Sequence, residues 1–488
     1  MSSLLQASLY ITVFLLEVVL CATVRSRAAR QASLLVASYL LYLTWEPWFA
    51  AVLLGSTVMN YLLGRAMRRN PRSGLLTLGV ALNLAFLGIF KYLPPVAIQL
   101  PFSSLQQLAH LALPLGISFW TFQAMSYLFD LYRGEDLDPS FVEFALYMAF
   151  FPVTVSGPVC RMPDMLPQFR SEKRVPWSDR ERGLSRIAIG ILMMQLAKLL
   201  GRGILGGQGI ASGFDRLAQW SGPDVLCLAF GYGMQLFFDF GGYSHIAIGA
   251  AQALGFTVPE NFARPFLSEN PSVFWTRWHM SLSLWIRDYV FFPLAVLRRE
   301  LWWRNAALVI AMTLFGLWHK ATWLFLLWGC YQGVLLVFHR QVQQLERVWD
   351  WRPHEARWKA ISWFVTAVLI SLGWIAFRAN SPAEAGRMLL AVATPQSYTS
   401  HYLDISLYLL VAFLAVSYAV VLRIGDALEN YASPRLARPL GFPSRLFVLM
   451  AERRWYWIPP VYVIALLVVS LIAQTQTANT AQFMYRSF

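Results

Sequence analysis

The chain has 488 residues, of which 57% are hydrophobic and only 14% charged, with a mean hydropathy of +0.49. Soluble domains carry about 25% charged residues, so the composition argues against a water-soluble globular chain and for a bilayer protein. Forty Lys and Arg against 26 Asp and Glu leave +14, an excess that in a membrane protein belongs to cytoplasmic loops and is no sign of a nucleic-acid partner.

A helix crosses the hydrocarbon with roughly 20 apolar residues. Apolar runs recur at Leu4 to Val24, Ala32 to Trp45, Trp48 to Leu63, Leu75 to Phe90, Leu111 to Leu131, Phe141 to Val159 and Leu184 to Leu205. Others follow at Val225 to Leu254, Leu282 to Leu297, Ala306 to Trp318, Trp323 to Phe338, Ile361 to Phe377, Leu403 to Leu422 and Ile458 to Ala473. Several are too short to span, so the pattern predicts an all-α integral membrane protein with roughly 11 transmembrane helices, the remaining segments being re-entrant or interfacial helices that line a cavity. No fixed-period repeat or Gly/Ser-rich linker divides it, and a single multi-pass membrane domain over residues 1–488 is expected.

The first run has no basic residue before it and no small-residue cleavage site, and Arg25, Arg27 and Arg30 follow at once, so it is expected to be a retained helix with an extracytoplasmic N-terminus. Arg65, Arg68, Arg69 and Arg72 form a second basic loop. The polar stretch from Arg161 through Arg170, Lys173, Arg174, Arg180 and Arg182 to Arg186 suits a cytoplasmic interfacial segment. Cys21, Cys160, Cys227 and Cys330 lie far apart without any CxxC pair; they read as small core residues, with neither a disulfide framework nor a metal site.

An ionisable side chain in mid-membrane costs about 2.5 to 3.5 kcal/mol on insertion scales, so each asks for a partner or a task. FWTRWHMSLSLWIRDYVFFPL packs Arg277, His279, Arg287 and Asp288 among tryptophans, and LFGLWHKATWLFLLWG sets His319 between two apolar runs. A neutral imidazole in a dry pocket is a general base in waiting, and two on separate segments can meet across one cavity. The plainer reading of a lone histidine is a side chain bonded to a neighbouring carbonyl. Asp239 is the only acid of LAFGYGMQLFFDFGGYSHIAIGAAQALGF. On a helix it shares a face with Tyr243, while Gly241 and Gly242 either admit another backbone or break the helix. A structural role for Asp239 stands beside a catalytic one. Glu17, Lys91 and Lys198 receive no chemistry.

None of the seven histidines has an Asp five positions later, and no HExxH, GxSxG, P-loop or GxGxxG pattern appears. Nucleotide-driven pumping is therefore unsupported. If acyl transfer occurs, direct attack of a hydroxyl assisted by histidine is the economical route.

Seven collinear motifs over about residues 110–390 resemble the membrane-bound O-acyltransferases, in particular the bacterial branch that includes the alginate O-acetylation membrane protein. They are LPLGISFWTFQAMSYLFDLYRGE from Leu113, AFFPVTVSGPVCR from Ala149, LFFDFGGYSHIAIGAAQALGF from Leu236, PENFARPF from Pro259, FWTRWHMSLSLWIRDYVFFPL from Phe274, GLWHKATWLFLLWG from Gly316 and GWIAFRA from Gly373. The resemblance implies a multi-helix fold around a central tunnel, with a catalytic histidine at His319 and a second polar position at His279. It also implies an acyl group arriving from the cytosol as a thioester on coenzyme A or an acyl carrier protein, with no tightly bound cofactor. The expected acceptor is a hydroxyl of an extracytoplasmic polysaccharide or a partner acetyltransferase, and the expected place a bacterial inner membrane. On this reading Trp275, Trp318 and Trp323 are walls that keep water from the thioester; Asp239, Tyr243 and Arg277 are supporting or tunnel-lining residues.

The chain departs from that branch at His245, where an Asp usually follows GYS, at Pro293-Leu294-Ala295-Val296 in place of PLGG, at Lys320 after the catalytic histidine, and at Trp328-Gly329-Cys330-Tyr331-Gln332-Gly333 in place of WGxxHG. These changes bear on donor and acceptor identity more than on reaction type. Transfer of D-alanine from a carrier protein to a teichoic-acid-like polymer is the nearby alternative. A proton-coupled transporter relaying protons through His279, His319 and Asp239 is the alternative of another class, weakened by the lack of duplicated halves.

Overall fold

The computed structural model describes residues 3–97, 112–173, 175–204, 207–216, 219–349 and 355–432. The run Ile458 to Ala473 lies outside the described residues. Within them the chain is helical, with no β-strand and one isolated bridge, Phe262 to Trp278. Among the described residues, eight helices are long and apolar enough to cross a bilayer: Leu5–Thr23, Pro47–Arg69, Ser73–Pro95, Trp177–Arg202, Gly222–Leu254, Leu301–His319, Arg357–Arg378 and Ile405–Ala427. The protein is thus an all-α, multi-pass membrane protein.

Contacts gather the helices into two compact units. The first comprises the described residues up to Ile187, with Ser244–Pro265 and Trp275–Ala311; the second comprises Ala188–Tyr243, Phe266–Phe274 and the described residues from Met312 on.

The first unit opens with α1 (Ser3–Thr23), α2 (Arg27–Leu43), α3 (Pro47–Arg69) and α4 (Ser73–Leu87), the last prolonged by a π turn over Gly88–Tyr92 and by α5 (Leu93–Ala97). Next come α6 (Ile117–Tyr132), α7 (Phe141–Ala149) and α8 (Met162–Arg170). Almost every residue of α6 is buried, from Ile117 to Leu131. Its buried polar residues Thr121, Gln123, Ser126 and Asp130 need protein and not lipid around them, and α6 packs against both α3 and α4. The same two helices are tied by a reciprocal amide pair: Asn60 Nδ2 donates to Asn83 Oδ1 at 3.1 Å and Asn83 Nδ2 to Asn60 Oδ1 at 2.7 Å. Both amides are fully buried. Inside a membrane such a pair links helices because neither amide has water to turn to.

The apolar run Phe141 to Val159 does not make one long helix. Ser140 and Glu143 close a capping box that starts α7, and the chain turns at Phe150, ahead of Pro152, Gly157 and Pro158. Proline lacks the N–H that a helix interior requires. Glu143 also receives a two-pronged contact from Arg170, with Nε and Nη2 each 2.9 Å from a carboxylate oxygen. That pair joins the start of α7 to the end of α8 with charge-assisted bonds.

The second unit is built on the apolar helices α9 (Trp177–Arg202), α10 (Ile210–Arg216) and α11 (Gly222–Leu236), of which α9 starts in the first unit. From α11 the chain passes through a π turn, Phe237–Gly241, into α12 (Gly242–Leu254), which returns it to the first unit. After α13 (Pro271–Trp275), α14 (Met280–Ile286), a π turn at Arg287–Phe291 and α15 (Phe292–Ala295) come α16 (Leu301–His319), α17 (Trp323–Trp349), α18 (Glu355–Arg378), α19 (Pro382–Ala393) and α20 (Ile405–Ala432). The run Leu282 to Leu297 therefore lies mostly in one helical stretch, Met280 to Ala295, interrupted by a π turn, with Pro293 in its last part. Buried Asp224 of α11 fastens the start of α20. Its carboxylate accepts from the Tyr402 and Leu403 N–H groups at 3.0 and 3.1 Å and from the Tyr408 hydroxyl at 2.6 Å.

Candidate active site

His319 is the last residue of α16 and is 5% exposed. Its ring is surrounded by aromatic rings of the second unit: Trp318 at 4.7 Å between centroids, Phe315 at 5.1 Å, Phe377 at 5.2 Å, Trp328 at 5.7 Å and Phe325 at 6.1 Å. Three helices supply these rings, and glycines let them come close. A Cβ at Gly316 would strike the Phe325 carbonyl oxygen, and one at Gly329 would strike that of Met312. The α16–α17 crossing therefore brings backbone against backbone, which only glycine permits. On α18, a Cβ at Gly373 would lie 2.5 Å from Gln332 Nε2, and the Tyr331 hydroxyl donates to the Leu369 carbonyl at 2.7 Å. One turn further along α18, Phe377 closes the niche.

His279 occupies a different local setting, in the first unit. It is 2% exposed and stands at the N-cap of α14 with φ 44° and ψ 51°, a left-handed conformation that costs a non-glycine residue about 1 to 2 kcal/mol. The surroundings over-determine it. Ala263 N donates to Arg277 O at 3.0 Å and Met280 N to Asn261 O at 2.9 Å, so 261–263 and 277–280 run against each other on either side of His279. The side chain of Asn261 completes the clamp: its Oδ1 accepts from the Ser281 hydroxyl at 2.6 Å and its Nδ2 donates to Ser244 Oγ at 3.0 Å. Ser281 Oγ in turn accepts from Val159 N at 3.0 Å. Burial pushes the His279 pKa down from 6.5 to about 3, so the imidazole is neutral at physiological pH.

The family model for the membrane-bound O-acyltransferases matches residues 73–377. The chain belongs to the membrane-bound O-acyltransferase family. It is 35% identical over 374 residues to a probable alginate O-acetylase, AlgI, of Pseudomonas putida, covering 74% of each chain. It is 30% identical over 393 residues to a peptidoglycan O-acetyltransferase of Helicobacter pylori, covering 73% of this chain and 72% of that one. A teichoic acid D-alanyltransferase of Streptococcus thermophilus is 31% identical over 288 residues, covering 54% of this chain and 68% of its own. The protein is an acyltransferase, which displaces the transporter reading.

Other residues singled out in this acyltransferase by sequence sit as follows. Trp318 lies against His319. Trp323 does not: it is 73% exposed, because at 100° per residue it falls about 140 to 160° around α17 from Phe325 and Trp328. The buried side of α17 is that of Phe325 and Trp328, so the wall expected at Trp323 is not formed there. Trp275 is 8% exposed at the end of α13, and Arg277 is half-buried with its carbonyl in the clamp. Asp239 is buried in the π turn Phe237–Gly241 and Tyr243 is half-buried in α12. A π turn bonds i to i+5, so the α-helical spacing assumed for this pair does not hold across it. The Gly241–Gly242 pair serves close approach: a Cβ at Gly242 would lie 2.7 Å from the Gly190 carbonyl oxygen of α9.

Asp288, another acid of the RWH segment, is an ion-pair centre. It accepts from Arg161 Nη2 at 2.8 Å and Arg287 Nε at 2.7 Å, beside a Tyr289 hydroxyl that donates to buried Asp130 at 2.7 Å. Residues without a role in the sequence reading, yet central to the geometry, are Asn261, Ser281, Phe315, Phe325, Gly329 and Phe377. The PENFARPF and GWIAFRA motifs contained two of them, but nothing in their spacing revealed that Asn261 clamps His279 or that Phe377 covers His319.

Proposed function

We propose that this protein takes an acetyl group from a cytosolic thioester, on coenzyme A or an acyl carrier protein, and delivers it to hydroxyls of an extracytoplasmic polysaccharide or to a partner transferase that completes the transfer. His319 is the general base. It removes the proton of the acceptor hydroxyl as that oxygen attacks the thioester carbonyl; the carbon–sulfur bond then breaks and the thiolate leaves, taking up the proton. His279, neutral and fixed by its clamp, orients or polarises the reacting groups. The observation that carries this reading is the aromatic enclosure of His319, which would hold water away from an activated ester that water also attacks.

The acetyl reading is favoured because relatives named for O-acetylation cover about three quarters of the chain, whereas the D-alanyltransferase match covers 54% of it. A catalytic core over about residues 110–390, a central tunnel, a bacterial inner-membrane location and an extracytoplasmic N-terminus complete the proposal. Mass spectrometry of ester-linked groups on cell-envelope polymers tests it, comparing wild type with His319→Ala. Acetyl ester that disappears in the variant supports the reading. Acetyl unchanged with D-alanyl ester lost selects the alternative, and unchanged esters on every polymer overturn both.

A further inference from the structure

The first unit contains an open cleft of about 910 Å³ formed by the start of α2, the end of α3, the loop before α7 and the end of α8. Neither His279 nor His319 lines it. Five arginines line it, Arg27, Arg65, Arg68, Arg69 and Arg170, with two carboxylates, Asp138 and Glu143. Arg170 is committed to Glu143 and Arg68 to Asp138. Arg27, Arg65 and Arg69 have no carboxylate partner among the described residues, and Arg65 stands over the Tyr61 ring at 6.0 Å. Three guanidinium groups without a carboxylate partner around one cleft suit an anion with several oxygens, phosphate above all.

The helix that brings two of them there also says what is attached to the phosphate. Leu54, Val58 and Leu62 are 44, 39 and 57% exposed on α3, a helix of membrane-spanning length and hydropathy. At 100° per residue these three, together with Arg65 and Arg69, fall within an arc of about 80°. The exposed apolar stripe therefore runs straight into the arginines. From Leu54 to Arg65 it covers about 16 Å of helix axis, close to the roughly 15 Å of one leaflet, half of a bilayer core of about 30 Å. A soluble phosphate compound has no use for such a stripe, whereas a phospholipid needs both parts.

We infer that this cleft binds the phosphate headgroup of an anionic phospholipid whose acyl chain lies along Leu54, Val58 and Leu62. Tyr61, between stripe and charges, has the amphipathic ring favoured at the membrane–water boundary. The site is independent of the acyl-transfer reading.

The test uses full-length protein in neutral detergent, titrated with phosphatidylglycerol, phosphatidylcholine or coenzyme A, with thermal unfolding and native mass spectrometry as readouts. Phosphatidylglycerol should raise the melting temperature and remain bound, and phosphatidylcholine should not. The Arg65→Gln/Arg69→Gln double variant should bind phosphatidylglycerol about thirtyfold more weakly, two arginines at about 1 kcal/mol each. Arg387→Gln, which removes an exposed charge on α19, should bind like wild type. Equal phosphatidylglycerol affinity in the double variant and wild type overturns the inference. So does stabilisation by coenzyme A that is lost in the double variant while the lipid has no effect, which would assign the arginines to a soluble phosphate ligand.

Discussion

Gly316→Ala separates the packing around His319, the proposed general base, from the stability of the protein. The added Cβ meets the Phe325 carbonyl oxygen, a backbone atom that cannot rotate away, so α16 and α17 must move apart. Overpacking of this kind costs about 1 to 3 kcal/mol. Alanine in place of glycine inside a helix returns about 1 kcal/mol, leaving a net destabilisation of about 0 to 2 kcal/mol, a shift of a few degrees in melting temperature at most for a chain of this size. His319 lies three residues beyond Gly316 on the same helix, and it depends on Phe325 and Trp328 of the other helix for its enclosure. A displacement near 1 Å at a reacting group can cost about a hundredfold in rate. The expected result is a protein that purifies and melts almost as wild type but consumes thioester about 10- to 100-fold more slowly. Gly386→Ala, where a new Cβ meets nothing within 4 Å, serves as control and should stabilise by up to about 1 kcal/mol at unchanged rate. The assay is acceptor-dependent release of free thiol, measured alongside thermal unfolding in the same detergent. Wild-type turnover in Gly316→Ala would refute the idea that the α16–α17 crossing sets the histidine.

Asn261→Ala removes two side-chain hydrogen bonds from the His279 clamp; at about 1 kcal/mol each, with buried partners left behind, it should cost about 2 to 4 kcal/mol of stability, read by thermal unfolding. Its kcat should fall more than KM changes, and Asn261→Asp, which keeps the acceptor for Ser281, should recover part of the loss. The lowered pKa of His279 has a signed consequence. The histidine is neutral in the fold down to about pH 3 but protonates near 6.5 when released, so its contribution to stability is complete above about pH 6.5 and declines as pH falls through that window. His279→Gln should therefore flatten the slope of melting temperature against pH between about 4 and 6.5, and His279 should add no inflection near pH 6.5 to the rate profile. Trp323→Ala, at an exposed site, should change stability by less than about 0.5 kcal/mol and leave turnover intact, whereas Trp328→Ala should lower both.

The membrane architecture was legible because it rests on composition and run length, which need no tertiary information. The ordered motifs likewise carried the family and drew attention to His279 and His319. Local geometry decides the positions that composition and motif order leave open. Trp323 stands five residues after Trp318, yet helix phase turns it to the opposite side of α17 from Phe325 and Trp328. Asp239 and Tyr243 are four apart in sequence, but the π turn Phe237–Gly241 removes the α-helical spacing that would put them on one face. The roles of Asn261 and Phe377 arise from contacts with residues far away in the chain, and periodicity within one segment does not encode them. In sequence Arg65 and Arg69 look like loop charges, but they belong to the last turns of α3, and their alignment with Leu54, Val58 and Leu62 depends on which face of that helix is exposed.

The central claim is that the His319 imidazole takes the proton of an acceptor hydroxyl during thioester attack. The direct measurement is single-turnover acetyl transfer from labelled acetyl thioester to a polysaccharide acceptor by purified protein in lipid vesicles, comparing wild type with His319→Gln, which preserves approximate size but cannot act as a base at neutral pH. The account predicts thioester binding retained and the transfer rate lowered by about 100- to 10,000-fold, the range of general-base catalysis. Transfer at the wild-type rate by a folded, thioester-binding His319→Gln protein would contradict it.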